Sequence, residues 1–400
     1  MATSATRLPL AGVRILSAEQ YGAAPYGTMF LAQLGADVIK IEPPASGDSA
    51  RAVGPHFLSG GDSLYFQTFN LNKRSLTLDL ASEGGQAVLK RLVKGAHAVV
   101  NNLRGDLPGR LGLTYTALAA ENPAIVCAHL SAYGRDNPRA RWPGYDYLMQ
   151  AEAGFLSLTG EPDGPPARFG LSMVDFMTGA VMAIGLLAAL TEARSTGKGR
   201  DVDVDLLATA FHQTSYPAIW YLNEGDVTGR VPRSAHPSVV PSQLFRTADG
   251  WVFVMAQLPK FWTTLVERLG HPELAQDDRF RTPADRLAHR AELTALLDEV
   301  FQQQRTAYWV ARLAGQVPVA PVHTLDQALD SAFLESSGMI DRIPHPDGGA
   351  LRVLSNPIRL DGQWLANRAA PRLGEHSAAV LAESGLDEAA IQALREQGVI

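Results

Sequence analysis

One stretch of the chain gathers groups able to do covalent chemistry: Gly170-Leu171-Ser172-Met173-Val174-Asp175-Phe176-Met177-Thr178-Gly179. Asp175 stands at the foot of a long apolar helix expected over about 176–193. An aspartate there serves as an N-cap, its carboxylate accepting hydrogen bonds from the first backbone N–H groups. The same geometry suits a reaction. Helix-terminal N–H groups keep a carboxylate ionised near neutral pH. Small neighbours such as Thr178 and Gly179 let a bulky ligand approach, and an ionised, partly desolvated carboxylate can attack a thioester carbonyl. Spacing alone does not choose between cap and nucleophile.

Other chemistries find less support. There is no G-x-G-x-x-G after the first strand, no P-loop and no G-x-S-x-G elbow. With no H-E-x-x-H and no C-x-x-C, no metal is expected. The single cysteine, Cys127, lies in the apolar run Ala124 to Leu130 and reads as an inert core thiol. One cysteine allows no intrachain disulfide, which fits a reducing, cytoplasmic setting.

The elements that must position Asp175 follow from the hydrophobic pattern. Short strands are expected at Val13–Leu16, Val38–Glu42, Leu76–Leu80, Ala96–Val100 and Ile125–Leu130, and a further one at Asp201–Leu206. Between them lie helices at Tyr26–Leu34, just after Pro25, and from Ser82 to about Lys94. This alternation implies βαβ units and a parallel sheet, hence an α/β fold with a Rossmann-like large domain whose ligands sit beyond the carboxyl ends of the strands. The Gly- and Pro-rich stretch 225–241 reads as a boundary. Residues 1–225 then form the first part of the large domain, 226–320 a smaller α/β domain, and 321–400 a return to the large one. The longest apolar stretch, Gly179–Leu190, reads as a buried helix too short to span a bilayer. With 46 % apolar residues a sizeable core can be buried, and a net charge of −6 argues against nucleic-acid or membrane-surface partners.

Further short motifs recur in order along the chain: Leu34-Gly35-Ala36-Asp37-Val38-Ile39-Lys40-Ile41-Glu42, Gly47-Asp48, Asn70-Leu71-Asn72-Lys73-Arg74-Ser75, Gly144-Tyr145-Asp146, Met173-Val174-Asp175 with Gly179, Thr196-Gly197-Lys198-Gly199, Ala235-His236-Pro237-Ser238-Val239-Val240-Pro241 and Leu373-Gly374-Glu375-His376. Together they resemble the family III CoA-transferases over essentially the whole chain. The resemblance implies that Asp175 is the nucleophile, that coenzyme A is the cosubstrate, that acyl-CoA and small carboxylic acids are the partners, and that the fold is an interlocked homodimer. It also implies contacts to coenzyme A from Leu78, Asn102, Leu103, Arg104 and Arg110, with Tyr145 and Asp146 beside the nucleophile. Lys73, Arg74 and Arg104 read either as solvated surface charges or as partners of the phosphates.

The chain departs from the family pattern at three places. Ala24 replaces a glycine in Ala23-Ala24-Pro25, Pro43 stands where some relatives carry a basic residue, and Ala256-Gln257-Leu258-Pro259-Lys260 replaces a glycine-rich loop. Gln257 and Lys260 read either as contacts to a substrate carboxylate or as a surface turn. Two rival functions follow. A 2-methylacyl-CoA racemase of the same superfamily would need a histidine at Tyr145 and a glutamate near Leu258, and has neither here. A tyrosine with a pKa of about 10 is a poor base for a carbon acid. The other rival is a non-catalytic acyl-CoA-binding protein.

Overall fold

The apolar runs become six parallel strands: β1 (Arg14–Ala18), β2 (Asp37–Glu42), β3 (Arg74–Thr77), β4 (Ala98–Asn101), β5 (Val126–Ser131) and β6 (Asp201–Asp205). The computed structural model describes residues 7–59, 61–345 and 349–400. The strand order is β3-β2-β1-β4-β5-β6, so the winding reverses between β1 and β4. In a doubly wound sheet this reversal opens a crevice at the carboxyl ends of those two strands. Central strands such as β4 and β5 are buried at every residue, which accounts for their unbroken apolar character.

Two local readings shift. Helix α1 runs over Ala23–Gln33 rather than starting after Pro25. Pro25 sits in its first turn, where a missing N–H costs no intrahelical bond. β3 begins at Arg74 rather than Leu76, because Arg74 and Ser75 pair in register with Ile39 and Lys40. Ser75 can be buried there because its hydroxyl donates to Glu42 Oε1 at 2.6 Å. Helix α2 (Leu64–Asn70) follows, capped by the Ser63 hydroxyl, which accepts from Tyr65 N–H. Helix α3 (Glu83–Val93) is capped by Ser82, which accepts from Gly85 N–H.

One face of the sheet is closed by α3 and by two helices near the chain end, Ser377–Glu383 and Glu388–Glu396. Leu16, Ile39, Leu76, Leu89, Val99, Cys127, Val380 and Ile391 share this core. Burial pushes the Cys127 thiol up, which leaves it an inert packing group. On the sheet lies the helix Met173–Thr196, which packs on α1 and against β5 and β6. At 24 residues it is longer than the apolar stretch within it, and it is long and apolar enough to cross a bilayer by length and composition alone.

Where this helix meets α1, both partners are glycine. A Cβ on Gly27 would lie 2.3 Å from the Gly179 carbonyl oxygen, and one on Gly179 would lie 2.3 Å from that of Ala23. Only bare backbones fit, so the two helices touch main chain to main chain.

By contact the chain divides into two units. The larger comprises Met1–Ala153, Gly170–Gln213 and Phe333–Ile400, and the smaller comprises Gly154–Phe169 and Thr214–Ala332. The smaller unit holds an antiparallel sheet of Ser242–Arg246, Trp251–Met255 and Val319–Pro321 with helices Pro259–Leu269, Arg290–Phe301 and Thr306–Leu313. Its core gathers Phe245, Val254, Trp262, Phe280, Leu297, Phe301 and Trp309. Thr282 starts the helix Pro283–Ala288 through a capping box with Asp285. The fully buried Arg286 donates to the carbonyls of Val240, Phe280 and Gln257.

Candidate active site

Three strand ends converge on one cleft of about 260 Å³. Gln20 to Ala23 reach it from β1, Asn102 to Arg104 from β4, and Ser131 and Ala132 from β5. Trp142 to Tyr145 supply another side, and Asp175 completes the lining. The cleft therefore lies at the reversal point of the sheet, where the fold leaves room for a ligand.

Asp175 is the third residue of its helix, and Ser172 occupies the N-cap position. The reading of Asp175 as the cap is thus corrected. The capping group comes from elsewhere in the chain: Asp146 Oδ2 accepts from the Asp175 N–H at 3.0 Å, while Gln150 Nε2 donates to Asp146 Oδ1 at 2.6 Å. The expected ionisation is corrected too. Burial pushes the Asp175 carboxyl up to about 7, and the Asp146 carboxylate adds to the effect. Loss of solvent and a like charge nearby both disfavour the ionised form of a carboxyl. Nor do Thr178 and Gly179 serve ligand approach. Thr178 is fully buried and donates to the Val174 carbonyl, and Gly179 faces α1.

The loop opposite Asp175 is held by buried charge. Asn102 clamps Gln20 at both backbone groups, accepting from its N–H at 2.9 Å and donating to its carbonyl at 2.7 Å. Asp48 Oδ1 accepts from the Tyr21 N–H at 3.1 Å. Its other oxygen lies 2.8 Å from Lys40 Nζ, and neither side chain has any solvent exposure. Lys40 also donates to the Glu19 carbonyl at 2.9 Å. A second pair, Lys73 Nζ and Glu19 Oε1 at 2.6 Å, is equally buried. Burial pushes Glu19 up, but Lys73 and Lys40 outweigh it and hold the carboxyl below its usual value. Burial pulls Lys73 down to about 8 despite Glu19.

Of the residues expected to meet coenzyme A, Asn102, Leu103, Arg104 and Tyr145 line the cleft with Asp175. Arg104 is bound in two places by Asp106, at 2.6 and 3.0 Å. Leu78, Arg110 and Asp146 do not line it. The Leu78 side chain is 2 % exposed and belongs to the core, so a ligand could meet only its backbone. The Arg110 side chain is 72 % exposed, 3.8 Å from Asp106. Asp146 is 3 % exposed and committed to the helix start. Lys73 and Arg74 do not line this cleft, and both are paired with carboxylates. Lys73 pairs with Glu19, and Arg74 with Asp37 and Glu383. Ala24 is fully buried and lies outside the lining, so its methyl does not narrow the cleft.

In the smaller unit, the Gln257 carbonyl accepts from Arg286, and Leu258 occupies the N-cap position of helix Pro259–Leu269. Lys260 Nζ lies 4.7 Å from the Phe261 ring centroid. This is a turn entering a helix.

Sequence reasoning missed Tyr21, Ser49 and Trp142, which also line the cleft. For Tyr21 a signal was present, since it follows the first strand of a doubly wound sheet. The lining supplies one carboxylate, one guanidinium and two phenols, from Asp175, Arg104, Tyr21 and Tyr145, and no histidine, lysine or glutamate. Such a set offers a carboxylate and a guanidinium and, among the described lining residues, no imidazole or amine that could serve as a base for carbon acids.

The profile of "CoA-transferase family III" matches residues 10–377. The chain is 32 % identical to the succinate–glutarate CoA-transferase of Agrobacterium fabrum over 385 residues, covering 94 % of this chain and 95 % of that protein. It is 32 % identical to the acetyl-CoA:oxalate CoA-transferase of Acetobacter aceti over 386 residues, covering 95 % and 97 %. Among solved structures, a CAIB/BAIF family protein from Brucella suis superposes with a TM-score of 0.81 at 34 % identity, covering 94 % of this chain and 99 % of that one. With a carboxylate at the reversal point of its sheet and this match along nearly its whole length, the chain belongs to CoA-transferase family III and is a CoA-transferase.

Proposed function

We propose that the protein moves coenzyme A from an acyl-CoA to a short carboxylic acid, with Asp175 as the covalent carrier. The observation that carries this reading is the Asp175 carboxyl itself, part-buried yet lining the cleft, with its pKa pushed up to about 7. A more basic carboxylate is a stronger nucleophile once ionised.

An Asp175 oxygen attacks the thioester carbonyl, the C–S bond breaks, and CoA leaves as thiolate. The remaining species is an anhydride between Asp175 and the donor acyl group. The thiolate attacks the aspartyl carbonyl, the anhydride C–O bond breaks, and the donor leaves as a carboxylate. Asp175 then carries CoA as a thioester. An acceptor carboxylate attacks that thioester and expels the thiolate, which takes the acceptor acyl group and restores Asp175. No proton or electron is consumed. Arg104, which lines the cleft, is the proposed partner of a CoA phosphate, since a guanidinium can bridge phosphate and carboxylate oxygens. Short dicarboxylates such as succinate, glutarate or oxalate are the proposed acids, following the names of the relatives.

Two measurements test this reading. After addition of acyl-CoA, hydroxylamine is expected to leave a hydroxamate on Asp175, detected by mass spectrometry. An unmodified Asp175 across several donors would leave a binding protein as the better description. Because the protonated carboxyl is inert as a nucleophile, kcat/KM is expected to rise with pH through about 7 and to level above it. A profile flat between about pH 5.5 and 8.5 would contradict the assignment.

We also infer that the working form is a homodimer. Helix Ser215–Glu224 buries none of its residues and exposes Tyr216, Ile219, Tyr221 and Leu222, an apolar face of the kind a second copy covers. Light scattering is expected to give twice the 43.0 kDa chain mass, and a monomer at working concentration would rule this out.

A further inference from the structure

Tyr21 has φ +62° and is the only aromatic residue with positive φ among the described residues. For a bulky L-residue the left-handed region is a steric outlier, and such outliers gather where function requires a particular direction. A glycine would adopt this backbone at no steric cost. The tyrosine carries that cost and contributes a ring to the cleft.

The backbone is forced into this shape from both sides. Before it, Gln20 is clamped at N–H and carbonyl by Asn102. At Tyr21 itself, the N–H is fixed on Asp48, whose own N–H donates to Glu42 Oε2 at 3.0 Å and whose carboxylate is locked on buried Lys40. After it, Gly22 packs on the nucleophile, a Cβ there falling 3.4 Å from Asp175 Oδ2.

The ring that results is 38 % exposed and lines the cleft. It meets Tyr65 edge-on with centroids 5.9 Å apart and Tyr145 edge-on at 6.5 Å. Aromatic pairs at these distances and angles hold one another in place. An acyl group joined to Asp175 must project into the space beside its carboxylate. Tyr21 precedes Gly22, which packs on that carboxylate, and the Tyr21 ring lines the same cleft.

We infer that Tyr21, aimed by its left-handed backbone and braced by Tyr65 and Tyr145, is the specificity-determining residue that limits the size of the acid carried on Asp175. The inference rests on the transferase reading and adds which side chain chooses the acid. It favours short, unbranched acids and disfavours branched or longer ones.

The test uses the full-length protein and its Tyr21→Phe, Tyr21→Ala and Tyr21→Gly variants. Succinyl-CoA and acetyl-CoA serve as donors, with straight-chain and branched mono- and dicarboxylic acids as acceptors. Alanine and glycine are expected to raise kcat/KM for branched relative to short acids by about tenfold or more, chiefly through KM of the acceptor. Phenylalanine, which keeps the ring, is expected to preserve the original order of acids. Glycine is expected to melt about 1–2 °C above alanine, because only alanine keeps the strained backbone. Equal selectivity in these two variants despite unequal stability is the signature of the ring and not of folding.

The assignment is overturned if alanine and glycine keep the original order of acids, or if their selectivities differ in step with their melting temperatures. The unsubstituted protein, assayed in parallel, separates the two claims. Without transfer in that arm both fall, whereas transfer there with unchanged order in the variants removes only the role of Tyr21.

Discussion

Asp175→Asn is expected to abolish CoA transfer, by at least roughly 10⁴-fold, while making the folded protein more stable at pH 8. The first effect follows from losing the only carboxylate among the described residues of the cleft lining. The second follows from linkage. Asp175 is pushed from its ordinary value up to about 7 in the folded chain, so the native state holds this proton more tightly than the unfolded one. Between about pH 4 and 7 the unfolding free energy therefore falls as pH rises, and the loss is complete above about 7. Asparagine has the same shape and no charge to desolvate. The gain at pH 8 is expected to be roughly 2–4 kcal/mol, shrinking toward zero below about pH 3, where the aspartate is protonated in both states. Urea unfolding of both proteins at the two pH values measures it. Substantial remaining turnover would refute Asp175 as the carrier, and a gain independent of pH would refute desolvation as its cause.

The second large effect is expected at Lys40, which touches no ligand. Lys40→Met keeps the volume but leaves the Asp48 carboxylate buried without its cation. Removing one partner of a buried pair costs roughly 3–5 kcal/mol, because the other charge stays desolvated. Transfer activity is expected to fall with it, since Asp48 holds the Tyr21 N–H. Adding Asp48→Asn removes the stranded charge and keeps an acceptor for Tyr21. The double variant is therefore expected to recover more than half of the lost stability, a coupling that denaturant titrations of the four proteins would report. Independent, additive losses would show that the two side chains do not act as a pair.

What the sequence reveals and conceals here has a common physical basis. β4 and β5 are legible because strands buried on both faces are continuous apolar runs, and α3 because Ser82 caps an amphipathic repeat. β3 is read two residues late because its first residues are polar, made buriable by Glu42 from another strand. The place of Asp175 at a helix start leaves cap and nucleophile open, and only the family resemblance points to the second. The cap of that helix and the ionisation of Asp175 cannot be read locally, because the first depends on Asp146, 29 residues away in sequence, and the second on burial in the assembled fold with Asp146 beside it. Lys73 reads as a surface charge or a phosphate partner for the same reason, as its actual partner Glu19 lies far away in sequence. Local pattern reports burial and periodicity, whereas polar pairing across the fold is a property of the assembled structure.

The contact between Gly27 and Gly179 has a consequence for how this enzyme can change. Because main chain rests on main chain, the spacing between the carboxylate and the loop that faces it is set by atoms every residue shares. Side chains around the entrance can then be exchanged without shifting the reacting oxygen relative to its wall. On the roles proposed for Tyr21 and Asp175, choice of acid and rate of bond-making become separate quantities, the first adjustable one residue at a time while the second stays fixed by the scaffold.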